Sequence, residues 1–340
     1  MNKLETFFWL IKIGIINLKI RFLILMGKNP SDKYKYRLFI KITDICNYQC
    51  SICGNWKKKE NRWLSSRNQK RIIEKFSNQL FFLTITGGEP FLDSKSLVEF
   101  IKKIKAKNPN LKYVSINTNC SLPGQIGSVV TDLITQFPDL KFFIGLHFIP
   151  NSRWGVKKTG VKNSFNNYKE TLSTLQKIEA IFPGNLTYYK IITINNREDI
   201  KVLKGEVKEK KGDIWLNFAQ IDSFYNNKKN NKVGKIAKKQ KTNLIDYFLE
   251  NNRENLSFLN RRYLKGLKKT IQKGRFQKCY AGINRSFINE KGEEFICFKS
   301  LNGREEMNPK KCKYCWSSCE SNFDFIPSFF IPSFFKGGYK

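Results

Sequence analysis

The chain has 340 residues and a mass of 39.9 kDa, and 41% of its residues are hydrophobic, enough for one large domain with a smaller one beside it. Its 62 Lys and Arg against 28 Asp and Glu give a net charge of +34, but the lysines are spread along the chain, so we do not expect a nucleic-acid partner. The nine cysteines stand at metal-ligand spacings without a cleavable signal peptide before them, which argues against a secreted disulfide framework and for a reducing cytoplasm.

Residues 1–35 contain an apolar stretch at 7–26, which Lys12, Lys19 and Arg21 interrupt. Its length suits a bilayer-spanning helix, but three basic residues make spanning unfavourable. Lys12 and Lys19 are seven residues apart, so a helix here carries a charged stripe on an apolar body. Two placements fit this pattern: a helix in the membrane interface with its lysines reaching the headgroups, or a helix buried against the domain that follows.

Residues 36–225 alternate between strand-like and helix-like segments. Strand patterns occur at 36–43, 80–86, 112–117, 141–148, 186–194 and 214–221, and the clearest helical patterns at 97–107, 165–182 and 200–210. Six such units predict an α/β fold in which a parallel sheet forms a partial, TIM-like (β/α)6 barrel. The active site of such a barrel lies at the carboxyl ends of its strands, so side chains there are the first candidates.

Cys46, Cys50 and Cys53 follow the first strand with the spacing C-x-x-x-C-x-x-C. Three thiolates can hold three irons of a four-iron cluster and leave one iron open, and the next cysteine, Cys120, is distant in sequence. On spacing alone, a zinc site that borrows a distant ligand is the competing interpretation.

The second strand ends at two glycines, and an acidic residue and a proline follow: Gly87, Gly88, Glu89 and Pro90. The missing Cβ atoms predict a turn where a small charged ligand approaches the backbone. Two glycines after a strand are also common in plain turns.

Segments 44–54 and 86–90 together resemble the radical S-adenosylmethionine (SAM) superfamily. The resemblance implies a [4Fe-4S] cluster on the three cysteines, with SAM on the open iron. It further implies cleavage of SAM to a 5′-deoxyadenosyl radical that abstracts hydrogen from a substrate. By the same resemblance Gly87 to Pro90 hold the amino end of SAM, and Asn119 contacts SAM. The family often has a glycine where this chain has Cys120, which we expect to be a small semi-buried residue.

The fourth strand ends at Gly145 and His147, the only histidine. Its place at the predicted barrel mouth makes His147 a candidate for substrate binding or proton transfer, and a structural, hydrogen-bonded imidazole is the alternative. Relatives often have a serine in this segment that contacts the SAM ribose, and this chain lacks it. Gln220 and Asp222, after the sixth strand, are weaker candidates for polar contacts to substrate.

Residues 226–275 predict a basic linker followed by a helical connection, since seven lysines fall within 226–241 and an apolar face follows. Residues 276–322 contain five cysteines: Cys279, Cys297, Cys312, Cys315 and Cys319. A zinc ribbon is the generic interpretation. The order of these cysteines and of Gly292 resembles the SPASM and twitch extensions of radical SAM enzymes, which implies one auxiliary [4Fe-4S] cluster that passes electrons, with Cys319 as the competing fifth ligand.

Residues 323–340 form an aromatic tail that repeats Ile-Pro-Ser-Phe-Phe and suits a membrane or partner contact, or packing into the substrate mouth.

The sequence therefore predicts a cytoplasmic radical SAM enzyme with an external electron donor of flavodoxin or ferredoxin type. The substrate class stays open among peptides, sugars and lipid-linked molecules, and the apolar helix favours a membrane-proximal one, with the protein at the inner face of the membrane. The alternative function is a non-catalytic iron–sulfur protein that binds RNA or membrane through its basic surface.

Overall fold

The computed structural model describes residues 35–58, 62–206, 213–219, 236–251, 258–274 and 284–297, together with parts of 11–27 and a few single residues between these ranges. The strands are β1 Arg37–Thr43, β2 Phe82–Gly87, β3 Tyr113–Thr118, β4 Lys141–His147, β5 Leu186–Ile194, β6 Asp213–Phe218, β7 Arg285–Ile288 and β8 Glu294–Phe295. The helices are α1 Ser66–Lys75, α2 Ser94–Lys107, α3 Pro123–Gln136, α4 Ser152–Thr159, α5 Ser164–Ile181, α6 Arg197–Glu206, α7 Lys238–Asn251 and α8 Phe258–Lys273.

One sheet contains all eight strands in the order β6-β5-β4-β3-β2-β1-β7-β8. Strands β1 to β7 run parallel, and only β8 is antiparallel to its neighbour β7. The six strands predicted from the sequence are present, each with ends within three residues of the prediction. Because β6 and β8 lie at the two edges, the sheet is open, as a partial barrel requires.

The sheet curves around one face. The hydroxyl of Tyr189 on β5 lies 3.1 Å from Ser115 Oγ and donates to Asn117 Oδ1 at 2.9 Å, and both partners are on β3. Tyr189 reaches β3 across Gly145 on β4, where an added Cβ would lie 2.8 Å from its hydroxyl, and this face is the concave, inner face of the partial barrel. The opposite face carries the aliphatic side chains Leu38, Ile40, Ile42, Leu83, Ile85, Val114, Ile116, Ile144 and Leu146, all fully buried in the core with the flanking helices.

The hairpin β7–β8 extends the sheet beyond β1, a placement that the sequence did not indicate. Glu294 on β8 accepts from Lys35 Nζ at 2.9 Å and from Ser286 Oγ at 2.6 Å, and it also pairs with Lys75 at the end of α1. Arg71 on α1 donates to the carbonyl of Gly292 at 2.6 Å. The described part of the predicted domain 276–322 is therefore joined to the core through backbone pairing and ion pairs.

Described residues between 11 and 25 form an amino-terminal helix. Its inner side packs on the start of the sheet, where Ile16 lies against the cluster of Tyr36, Phe82 and Tyr113, and Ile20 is fully buried. Its outer side is an exposed apolar stripe of Ile11, Ile15, Leu18, Phe22, Leu25 and Met26. The helix thus caps the sheet and also presents an apolar surface. Within the part of the chain that the structure describes, no helix is long and apolar enough to cross a membrane.

The hairpin contact predicts a pH-dependent stability. Burial alone would raise the pKa of Glu294, but hydrogen bonds from Lys75, Ser286 and Lys35 outweigh it and lower the pKa to about 2. The stabilisation is then complete above pH 4.5, the ordinary pKa, and is lost as the pH falls toward 2. Replacing Glu294 with Gln should lower the free energy of unfolding at pH 7 by about 1–3 kcal/mol and flatten its dependence between these pH values.

Urea denaturation at a series of pH values measures this effect, and Glu293→Gln, on the exposed neighbouring side chain, is the matched control. An unchanged pH slope in the Glu294 variant would exclude this role for the ion pairs.

Candidate active site

The cysteine loop, residues 44–54, leaves the end of β1 at the carboxyl edge of the sheet, where β2, β3 and β4 also end. The side chains of Cys46, Cys50 and Cys53 are half-buried and unbridged. They lie close enough together for the charge of Cys53 to raise the pKa of both other thiols. The three predicted ligands therefore lie on one short loop at this edge of the sheet.

Gly87 and Gly88 hold the start of this loop by direct backbone contact. The amide of Gly88 donates to the carbonyl of Thr43, and that of Glu89 to the carbonyl of Ile45, both at 2.8 Å. A Cβ atom on Gly87 would lie 2.2 Å from Thr43 O, and one on Gly88 would lie 1.9 Å from Ile45 O. The missing Cβ atoms thus make room for Thr43, at the end of β1, and for Ile45, in the cysteine loop, and contact of this turn with a ligand stays a prediction.

Glu89 has no exposed surface and is bonded entirely within the protein. Its carboxylate accepts from the amide of Asn119 at 2.6 Å, from Thr118 Oγ1 at 3.0 Å and from the amide of Phe91 at 3.1 Å. Burial raises its pKa to about 7 against the lowering effect of these donors. Glu89 thus ties the end of β3 to the segment after β2.

Asn119 connects the end of β3 to the cysteine loop. Its side-chain nitrogen, Nδ2, lies 3.5 Å from Cys46 Sγ and donates to Asn47 Oδ1 at 3.0 Å. The next residue, Cys120, is fully buried and has a φ of 65°. A left-handed backbone favours glycine, which explains why the resembling family often has glycine here. Asn119 thus lies beside the first thiol.

The end of α4 and the side chain of Trp56 also bond to the cysteine loop, and the sequence analysis identified neither of them. The amides of Gln49 and Ser51 donate to the carbonyls of Thr159 and Lys158, each at 2.8 Å, at the end of α4. Trp56 Nε1 donates to the carbonyl of Cys53 at 2.8 Å. Of these groups, only Trp56 could have been found from the sequence, because it follows Cys53 by three residues.

A network of four charged residues joins Asp44, the first residue of the loop, to the chain on either side of it and to the β7–β8 hairpin. Lys58 Nζ lies 2.9 Å from both Asp44 and Glu290, and Glu290 is also 3.3 Å from Lys41 Nζ on β1. Burial opposes ionisation of Glu290, but Lys41 and Lys58 lower its pKa to about 2. Because Glu290 lies in the β7–β8 turn, the network joins the cysteine loop to the carboxyl-terminal hairpin.

His147 ends β4 at the same edge of the sheet, half-buried, with its ring centroid 6.4 Å from that of Trp154. Burial, with a smaller effect of Lys158, lowers its pKa to about 4. His147 is therefore an uncharged imidazole at neutral pH. Asn117, Tyr189 and Trp215, all half-buried, lie below it on the concave face and offer polar and aromatic contacts.

An open cleft of about 560 Å³ lies between α3 and α5 on the outer helical layer. Its lining includes Gly127, Thr131 and Thr174 and contains none of the predicted site residues.

The donor set suits a cluster better than a single ion. Among the described residues, no three His, Cys, Asp or Glu side chains converge on one metal ion. In a four-iron cluster each thiolate binds a different iron, so the three thiols need only surround the cluster. Burial raises the pKa of Cys46 to about 11 and that of Cys50 further, so a metal held here would have to supply the charge that keeps them as thiolates.

Of the five predicted auxiliary cysteines, the structure describes Cys297, which is half-buried just after β8. The other four, Cys279, Cys312, Cys315 and Cys319, lie outside the described residues, as do Gln220, Asp222 and the aromatic tail.

Comparison with known proteins finds a family match over part of the chain. Residues 40–203 match the radical SAM superfamily. Curated relatives include GTP 3′,8-cyclases of Pasteurella multocida, 32% identical over 89 residues, and of Vibrio parahaemolyticus, 33% identical over 93 residues. Each match covers 25% of this chain and 26% of the relative, so the matched segment spans about a quarter of those enzymes.

Solved structures share the fold at low sequence identity. SuiB of Streptococcus suis bound to its precursor peptide SuiA has a TM-score of 0.56 and 16% identity, over 81% of this chain and 62% of SuiB. Native anSMEcpe with AdoMet and the Kp18Cys peptide has a TM-score of 0.54 and 18% identity, over 77% of this chain and 74% of that one.

The glycine contacts predict a sharp asymmetry between two alanine substitutions. Gly88→Ala places a methyl group against the carbonyl of Ile45, so the loop must move. We expect a loss of about 1–3 kcal/mol in unfolding free energy and a chain that retains less iron after anaerobic reconstitution.

Gly124→Ala on α3, where nothing lies within 4 Å of the added Cβ, should keep both properties. Full iron retention by Gly88→Ala would show that the contact does not hold the loop.

Proposed function

We propose, from the family match of residues 40–203, that this chain is a radical SAM enzyme in which Cys46, Cys50 and Cys53 bind three irons of a [4Fe-4S] cluster and leave the fourth to SAM. When reduced, the cluster and SAM supply a 5′-deoxyadenosyl radical, which abstracts hydrogen from the substrate. The observation that carries the proposal is the cysteine loop itself. Its three half-buried thiols lie on a segment that β2, β3 and α4 fix by hydrogen bonds.

The residues of the mouth have separable roles in this proposal. Gly87, Gly88 and Glu89 position the loop, and the backbone of Gly87 to Pro90 meets the amino end of SAM. Asn119, beside Cys46, contacts SAM from the end of β3. His147 serves the substrate as an uncharged hydrogen-bonding group, since its low pKa makes it a poor proton carrier at neutral pH.

An auxiliary [4Fe-4S] cluster belongs to the proposal as its carboxyl-terminal part. A Cβ on Gly282 would lie 3.0 Å from the side chain of Ile296, so the hairpin brings the chain before β7 next to the chain after β8. Cys279 and Cys297 flank these two points in sequence, which supports their joint ligation with Cys312 and Cys315, and Cys319 competes. The auxiliary cluster would assist electron transfer with the substrate.

The place of the amino-terminal helix supports a proposal for the substrate class. The amino-terminal helix lies at the start of β1, β2 and β3, whereas the cysteine loop lies at their ends, about 20 Å away along seven residues of strand. A membrane at the helix would not bring its headgroups to the loop. We therefore favour a peptide or sugar over a lipid-linked substrate. Peptides are bound in the SuiB and anSMEcpe structures, and we propose an electron donor of flavodoxin or ferredoxin type.

Thiol substitution tests the cluster assignment. After anaerobic reconstitution, dithionite and SAM should yield 5′-deoxyadenosine from the parent chain, and Cys50→Ala should reduce the yield to background. Cys120→Ala removes a buried thiol from the same mouth and should retain the product. Cys297→Ala should lower the iron content from about eight to about four per chain and keep SAM cleavage. Absence of 5′-deoxyadenosine from the parent chain would refute the proposed function.

Peripheral contact with the inner face of the membrane is the second part of the proposal. The exposed stripe contains six of the nine exposed large hydrophobic side chains in the described residues, and Lys19 beside it is exposed. Apolar insertion and the net charge of +34 together favour an anionic lipid surface.

Flotation with vesicles of phosphatidylcholine and phosphatidylglycerol tests this contact. Phe22→Asp with Leu25→Asp should lower vesicle binding at least about tenfold. Ile181→Asp, at an equally exposed apolar residue on α5, should not. Equal binding of both variants, or none by the parent chain, would exclude the contact.

A further inference from the structure

A buried ion pair holds the carboxyl end of α4, and we propose that this pair, Lys158 and Asp199, positions the cysteine loop around Cys50. The inference rests on the proposed cluster site and adds two residues that lie outside the recognised motifs. They act through the backbone of α4, so they are positioning residues and not catalytic ones.

The end of α4 is an acceptor surface for the loop. The last carbonyl groups of a helix have no partner within the helix. In α4 the carbonyls of Lys158 and Thr159 accept from the amides of Ser51 and Gln49, each at 2.8 Å. These two amides stand on either side of Cys50, so the position of this thiol follows the position of the helix end.

The glycine after α4 makes this contact close. Gly160 has a φ of 71° and donates its amide to the carbonyl of Val156, which ends the helix with a left-handed cap. A Cβ on Gly160 would lie 3.2 Å from Gln49 Cβ. The loop therefore packs directly on the cap, and a shift of the helix end is transmitted to it.

Asp199 binds α4 through an ion pair and a hydrogen bond, to two side chains one helical turn apart. Its carboxylate lies 2.6 Å from Lys158 Nζ and accepts from Trp154 Nε1 at 3.3 Å. It also accepts from the amide of Asn195 at 2.7 Å, immediately after β5. The two charged side chains are 8% and 2% exposed. A continuous connection thus runs from the end of β5, through Asp199 and α4, to the loop after β1.

The ion pair fixes the position of the end of α4 more than it adds to the free energy of unfolding. Desolvation offsets much of the attraction in a buried pair, whereas the pair fixes the distance between its two ends. Packing of α6 against the core does not depend on the pair, since Leu203 on α6 is fully buried in the apolar core. Removing the pair should therefore affect the loop more than an equally destabilising change elsewhere on α6.

The experiment compares Asp199→Asn and Lys158→Met with Leu203→Ala in the full chain. Hydrogen exchange of the peptide that contains residues 49–51 is measured before reconstitution, so this readout does not need the cluster. The electron paramagnetic resonance spectrum and iron content are measured after anaerobic reconstitution. We expect the two charge variants to speed exchange in this peptide at least about tenfold relative to Leu203→Ala, and to lose iron or broaden the spectrum. Asp199→Glu should restore part of both properties.

Trp154→Phe is the milder variant, because it keeps the ring and removes one donor to Asp199. It should speed exchange at 49–51 less than Asp199→Asn, and it decides the matter if the charge variants do not fold. The inference is overturned if 49–51 exchanges as in Leu203→Ala and the spectrum is unchanged. A parent chain that binds no cluster, by contrast, contradicts the proposed function and leaves the exchange result standing by itself.

Discussion

No side chain fits between the end of β2 and the backbone that leads into the cysteine loop. Gly87 and Gly88 lie so close to Thr43 and Ile45 that any Cβ would overlap a carbonyl oxygen. Two backbone hydrogen bonds use this close approach, and Glu89 carries the connection on to β3. The position of the three thiols therefore depends on a contact between two strand ends before any cofactor is bound.

The cysteine loop and the amino-terminal helix lie at opposite edges of the sheet. The cysteine loop, Asn119 and His147 lie at the carboxyl edge, and the amino-terminal helix covers the opposite edge. The β7–β8 hairpin spans both regions, since its turn carries Glu290 to the cysteine loop while Glu294 pairs with Lys35, before β1. The concave face and the cysteine loop are therefore separate from the exposed surface of the amino-terminal helix.

Sequence reasoning found what short-range patterns encode and missed what distant residues decide. Short apolar segments located the six strands because the strands of this sheet are largely buried, and the cysteine spacing located the thiols. The glycines were identified from the sequence, but the backbone that lies against them was not, since only the fold brings Thr43 and Ile45 there. The place of β7 beside β1 and the Lys158–Asp199 pair join residues far apart in sequence, so no local pattern reveals them.

The most direct test of the cysteine loop isolates its cluster. In a variant with Ser at positions 279, 297, 312, 315 and 319, only the loop can hold a cluster. We expect about four irons per chain and an electron paramagnetic resonance spectrum of the reduced protein that shifts when SAM is added. A chain that retains no iron, or a reduced cluster whose spectrum ignores SAM, would contradict the assignment of Cys46, Cys50 and Cys53 as an open three-thiolate site.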